Sequence, residues 1–163
     1  MKKYNPPRIS IIEISGEEII CSSISINRVS KKETVSQNIY YPLSQIQRLA
    51  ALHLMQLLGS SCSGTEQDLC KINHIIKTEM QNMSISANHL SLCTFNDIKE
   101  ITDELKGADR LCLESIFWAC YCIVSVGKLK EAVQLLISCY EEIGFNEQEC
   151  LSILEKRTGF RNY

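Results

Sequence analysis

Apolar positions along this chain fall into two regimes. Before about residue 42 they alternate with polar ones, and beyond it they recur at helical spacing. In the helical region the same pattern is written twice. Leu49, Ala50, Leu54, Leu57 and Leu58 lead to Gly59, followed by Glu66, Leu69, Ile72 and Ile76. Leu113, Ile116, Phe117, Cys120 and Val124 lead to Gly127, followed by Glu131, Ala132, Leu135, Leu136 and Ile143. Each copy is an apolar helix, a Gly/Ser-containing break and an amphipathic helix with acid in its first turn. The pattern predicts an all-α bundle of about six or seven helices with a pseudo-twofold helical-hairpin duplication. The segments around Ile116, Phe117 and Cys120 and around Ala50, Leu54 and Leu57 are its expected central pair.

Capping signals divide the helical region further. Ser44-Gln45-Ile46-Gln47 after Pro42 has the form of a capping box, opening a helix expected to end near Gly59. Ser63-Gly64-Thr65-Glu66 is a second such box, with Leu69, Ile72, Ile76 and Met80 lining one face of the helix that follows. Residues 87–92 suit either a short helix or a loop. Thr94 is expected to cap a helix carrying Ile98, Ile101 and Leu105, with Gly107 as its stop. Asp109 opens the longest apolar helix and Gly127 ends it. The next runs from Lys130 to Ile143, with Gly144 and Phe145 placed for a Schellman-type end. Asn146-Glu147-Gln148-Glu149 caps the last, which carries Cys150, Leu151 and Leu154.

The beginning reads differently. Ile9, Ile11, Ile14, Ile20, Ile24 and Ile26 keep period-two alternation around Ser15-Gly16-Glu17, a hairpin pattern, while Asn27 to Asn38 is Ser/Lys/Thr-rich and reads as a linker. A lone hairpin is marginal in water. Residues 1–42 are therefore expected to be an arm, either disordered or a β-hairpin, with residues 43–158 the helical domain and 159–163 a tail.

Composition narrows the function classes. The 163 residues suit one domain, and 45% hydrophobic with 22% charged residues is ordinary for a globular chain. A net charge of −2 offers no global attraction to nucleic acid or anionic membranes, and Lys156, Arg157 and Arg161 make too small a basic end to change that. No uninterrupted apolar stretch approaches the roughly 20 residues of a membrane span. Glu13, Glu17 and Glu18 interrupt what would otherwise follow Met1-Lys2-Lys3 as a signal peptide. The nine cysteines are an odd number, and Cys70, Cys112, Cys120, Cys139 and Cys150 sit where a helix would bury a small apolar residue. Reduced thiols in a cytoplasmic protein are the expectation.

With the helices placed, the pattern over about residues 44–156 resembles the TerB-like (tellurite-resistance-like) family of helical domains. The second copy carries the closer match, with Gly127-Lys128-Leu129 at the break, Glu131 after it, and Glu142-Ile143-Gly144-Phe145-Asn146-Glu147-Gln148-Glu149 at the end. The first copy matches at Ser60-Ser61, Ser63, Glu66 and Met83-Ser84. The opening residues Met1, Lys2, Lys3, Tyr4, Pro7, Ile9, Ile12 and Glu13 are similar to the start of short polypeptides from Bacteroidota. The family resemblance implies a pseudo-twofold pair of helical hairpins and a role in stress or defence complexes. It also implies acidic clusters at the breaks for divalent metal, but here those positions hold Ser60 and Val126. Hard cations need several oxygen ligands and valine offers none, so neither metal nor another cofactor is expected. His-Pro-Asp, the mark of a J-type co-chaperone, does not occur.

The remaining chemistry is sparse. Cys70 and His74, four apart on one helix, have zinc-ligand spacing, and Cys62 or His53 could complete a set; the plainer reading is a core cysteine beside a surface histidine. Cys120 and Cys122 point about 200° apart on a helix and cannot share an ion. A Cys/His nucleophilic pair would draw its base from His53, His74 or His89, yet no nucleophile elbow, phosphate-cradling glycine loop or HExxH accompanies it. Asp97, Glu100, Asp103 and Glu104 form an acidic helix face, most simply solvated, and Glu66 and Asp68 suit a helix N-terminus. Trp118 or Tyr121 is expected in the core. The expected function is a non-catalytic protein-interaction or scaffolding module, not an enzyme, with an unidentified protein partner and neither nucleic-acid binding nor membrane insertion. The alternative is a metal-binding sensor or small metalloenzyme using Cys62, Cys70 and His74.

Overall fold

The computed structural model describes residues 25–29, 34–62 and 64–158. Among these, an antiparallel ribbon of β1 (Ser25–Val29) and β2 (Thr34–Asn38) precedes seven helices. They are α1 (Gln45–Cys62), α2 (Glu66–Asn82), α3 (Ala87–Leu92), α4 (Ile98–Leu105), α5 (Arg110–Gly127), α6 (Lys130–Ile143) and α7 (Glu147–Thr158). The all-α bundle of six or seven helices is what forms.

The ribbon lies in the stretch read as a linker. Ser25 pairs with Asn38 and Val29 with Thr34. Its Ser, Asn and Gln content imitates a linker, but the β-branched Ile26, Val29, Thr34 and Val35 suit a ladder, and pairing is a non-local choice that composition does not show. The hairpin expected around Ser15-Gly16-Glu17 lies outside the described residues.

Most helix ends match their signals. Ser44 Oγ accepts from Gln47 N at 3.2 Å while Gln47 Oε1 accepts from Ser44 N at 3.0 Å, a complete capping box. Asn146 and Glu149 form another, at 2.9 and 2.8 Å. Asp109 caps α5 by accepting from Cys112 N at 3.1 Å. α2 and α6 end in the same pattern. Phe145 N donates to Tyr140 O and Gly144 N to Glu141 O, as Ile85 N donates to Met80 O and Ser84 N to Gln81 O. Gly144 (φ 118°) and Ser84 (φ 56°) take the left-handed position that this end requires.

Three boundaries differ from expectation, and one left open is decided. α1 passes Gly59 and runs to Cys62, because Ser60 and Ser61 donate back to Gln56 O and Leu57 O and so continue the helix. Thr65, rather than Ser63, caps α2 by accepting from Asp68 N at 3.1 Å. Asp97, rather than Thr94, caps α4 through Glu100 N at 2.9 Å, since Phe95 first packs across the His53 ring at 5.2 Å. Residues 87–92 are a helix capped by Ser86.

The core forms around α1 and α5, which pack on each other and carry nine and eleven buried residues respectively. α2 and α4 cover α1, α6 covers α4 and α5, and α7 closes on α5 and α6. Trp118, Tyr40, Tyr140 and Phe117 are the largest fully buried side chains. Phe117 meets Tyr140 edge-on at 4.7 Å, and Tyr140 meets Phe145 at 5.2 Å. Leu57 is only half-buried, Leu69 and Leu151 are exposed, and α2 turns Ile72, Ile75, Ile76 and Glu79 inward instead of the face starting at Leu69. Tyr40, on the arm side of the expected 42/43 boundary, belongs to the core. α5 has the length and apolarity of a membrane-crossing helix, yet it is the central helix of this bundle.

Candidate functional site

The candidate metal residues are not assembled. Cys62 is buried at the end of α1, while Cys70 and His74 are exposed on α2, so Cys70 is not the core thiol its neighbours suggested. Among the described residues no group of three His, Cys, Asp or Glu side chains could hold a metal ion. Ser60 donates to its own helix, and Val126 is half-buried.

Five of the buried thiols are chemically quiet. Burial pushes Cys62, Cys120 and Cys139 up, Cys112 up to about 12 and Cys150 up to about 11. A neutral thiol is a poor nucleophile. Of the candidate bases, His74 and His89 are exposed. His53 is half-buried, and its Nε2 has no hydrogen-bond partner among the described residues.

The acidic face is taken up by local structure. Asp103 lies 2.8 Å from Lys106 Nζ and 3.6 Å from Lys99 Nζ, and these partners hold its carboxyl below the usual range. Asp97 is the α4 cap, and Glu100 accepts from Asn96 N and Asn96 Nδ2, both at 2.8 Å. At the basic end Arg157 lies over the Trp118 ring at 5.9 Å and reaches Ser115 Oγ at 3.4 Å. Trp118 itself is buried, with Tyr121 stacked on it at 5.7 Å.

One polar centre escaped the sequence reading. Glu79 on α2 is fully buried, and its Oε2 accepts from the Tyr40 hydroxyl at 2.6 Å. Tyr140 of α6 and Cys120 of α5 lie near enough to act on the same phenol. Burial first, and then Glu79, pushes the Tyr40 phenol well above its ordinary range, so it stays a neutral donor. A carboxyl group in an apolar core costs several kcal/mol when unpartnered, and the Tyr40 bond offsets some of that. The signal was present in the spacing. Ile72, Ile75, Ile76 and Glu79 are at i, i+3, i+4 and i+7, which puts an acid on the apolar stripe.

Around this centre the lead-in to α1 is pinned. Asn38 Nδ2 donates to Asn82 O at 2.5 Å, the Cys112 thiol to Ile39 O at 3.0 Å, and Arg48 to Met83 O at 3.0 Å and Tyr41 O at 3.4 Å. The neighbouring tyrosines therefore diverge: Tyr40 is 0% exposed and Tyr41 84%. Leu111, next to Cys112, is 65% exposed. In comparisons with known proteins, no family model, curated protein or solved structure matches this chain.

Proposed function

We propose that this protein is a non-catalytic, cytoplasmic interaction or scaffolding module, a duplicated helical-hairpin bundle of the kind the TerB-like resemblance implies. One observation carries the reading. The carboxylates Asp97, Glu100, Asp103 and Glu79 are engaged in a cap, side-chain bonds and the buried Tyr40–Glu79 contact, while large apolar side chains stand in solvent close in sequence to the two ends of one tertiary bond. Tyr41 and Leu111 flank the Cys112–Ile39 hydrogen bond, which brings the lead-in and the start of α5 together. Exposed tyrosine and leucine supply contact area at low conformational cost, the property that binding surfaces favour. The acidic face, by contrast, is suited to solvation.

Site-specific photocrosslinking tests this reading. A benzophenone amino acid at position 41 should give a discrete adduct in an extract of the source cells, suppressed by excess wild-type protein and lost on Leu111→Glu. The same probe at Lys99 should give none. Equal labelling from both positions, or an adduct indifferent to Leu111→Glu, would overturn it.

A further inference from the structure

Residues 38–43 are held to three helices by side-chain hydrogen bonds. Asn82 and Glu79 of α2, Cys112 of α5 and Arg48 of α1 each bond to this segment, and Leu43 is buried below it. Only one ring is swallowed. The groups around that ring come from the bundle: Glu79 accepts its hydroxyl, with Cys120 and Tyr140 alongside. All three sit on long helices that pack against one another without the lead-in, through the α2–α5 and α5–α6 contacts. The acceptor is thus set by the helices, and the ring is brought to it by a stretch of turns outside any helix.

We propose that the bundle carries a socket specific for a phenol, filled in cis by Tyr40, and that residues 38–43 form a strap whose release opens it. The chemistry selected is an aromatic ring with a hydroxyl at its far end, because a plain phenyl would leave the buried Glu79 oxygen without that donor. The socket exists whether or not Tyr41 and Leu111 bind a partner. Asn38, the first residue of the strap, is also the last of β2.

Two measurements on the full chain test this. Tyr40→Ala vacates the socket, and p-cresol, the tyrosine side chain as a free molecule, should then raise its Tm saturably and bind at least about tenfold more tightly than toluene, one hydrogen bond to a buried acceptor being about that large. Neither compound should shift the wild type. Equal effects of p-cresol and toluene would show a mere apolar cavity and overturn the socket. Tyr40→Phe, which removes only the hydroxyl and keeps the ring, covers the case in which Tyr40→Ala does not fold. Amide exchange at residues 38–43 should accelerate about tenfold or more in that variant while α5 stays as slow as in the wild type. Acceleration shared equally by α5 would make Tyr40 an ordinary core residue and overturn the strap.

Discussion

Gly127 lies so close to Cys62 that a methyl on its Cα would collide with the Cys62 carbonyl oxygen. This contact joins the end of α5 to the end of α1. Gly59 of α1 has the same role against α2, where a Cβ would come within 2.6 Å of Ile72 Cγ2. Both glycines are helical and permit close approach; Gly59 is not a stop, whereas Gly127 is also the last residue of α5. The left-handed residue after α5 is Lys128, with φ 53°. Gly127→Ala should therefore cost about 1–3 kcal/mol, because a backbone carbonyl cannot rotate away as a side chain can. Lys128→Gly should be neutral or stabilising by up to about 1 kcal/mol, since relief of the left-handed strain outweighs or balances the added freedom of the unfolded chain. Urea titrations of the two variants would check the opposite signs.

Phe117 and Glu100 should separate core from cap. Phe117 is 1% exposed and packs on Tyr140, so Phe117→Ala should cost about 3–5 kcal/mol. Glu100 is not a free surface acid, because it accepts from the Asn96 backbone and side chain at the start of α4. Glu100→Ala should cost about 0.5–1.5 kcal/mol, whereas Glu104→Ala on the same helix should cost less than about 0.5 kcal/mol. Chemical denaturation that ranked Glu100 with Glu104 would show the Asn96 contact to be energetically idle.

Stability should fall on the alkaline side. Burial and then Glu79 raise Tyr40, burial and then the Cys120, Cys150 and Cys139 thiols raise Tyr140, and Cys112 and Cys150 are pushed up to about 12 and about 11. Each group holds its proton more tightly folded than unfolded. Its contribution is complete below the unfolded value, about 8.5 for thiols and 10 for phenols, and is lost as pH rises toward the folded value. Tm should decline above about pH 8.5 and more steeply above about pH 10. Tyr40→Phe should flatten the upper end of that decline in thermal scans between about pH 7 and 11.

Thiol reactivity should follow burial. With Cys21, which lies outside the described residues, replaced by Ser, Cys70 should react first with a maleimide and half-buried Cys93 next. Cys62, Cys112, Cys120, Cys122, Cys139 and Cys150 should stay protected until the bundle unfolds. Cys70→Ser and His74→Ala should each change Tm by no more than an ordinary surface substitution. Mass spectrometry after timed alkylation reads the order directly.

What the sequence determined by itself was local. The caps at Ser44, Asp109 and Asn146, the Gly144–Phe145 ending and the apolar stripes of α1 and α5 each depend on residues within one or two turns, where hydrogen-bond reach and helical period are set by covalent geometry. Tertiary structure decided everything that required two distant segments to meet. Gly59 read as a stop until α2 was laid against it, and the contact of Gly127, the last residue of α5, with Cys62 was not visible in the chain. Leu69 read as core, but α2 is rotated so that Ile75 and Glu79 are buried instead, Glu79 against the lead-in. Tyr40 and Tyr41 cannot be told apart in the chain, and only a carboxyl group brought from 39 residues away selects the one that goes inside. Cys70 and His74 kept their ligand spacing and found no third partner among the described residues, because spacing along one helix constrains two side chains and leaves a third ligand to the packing of other elements.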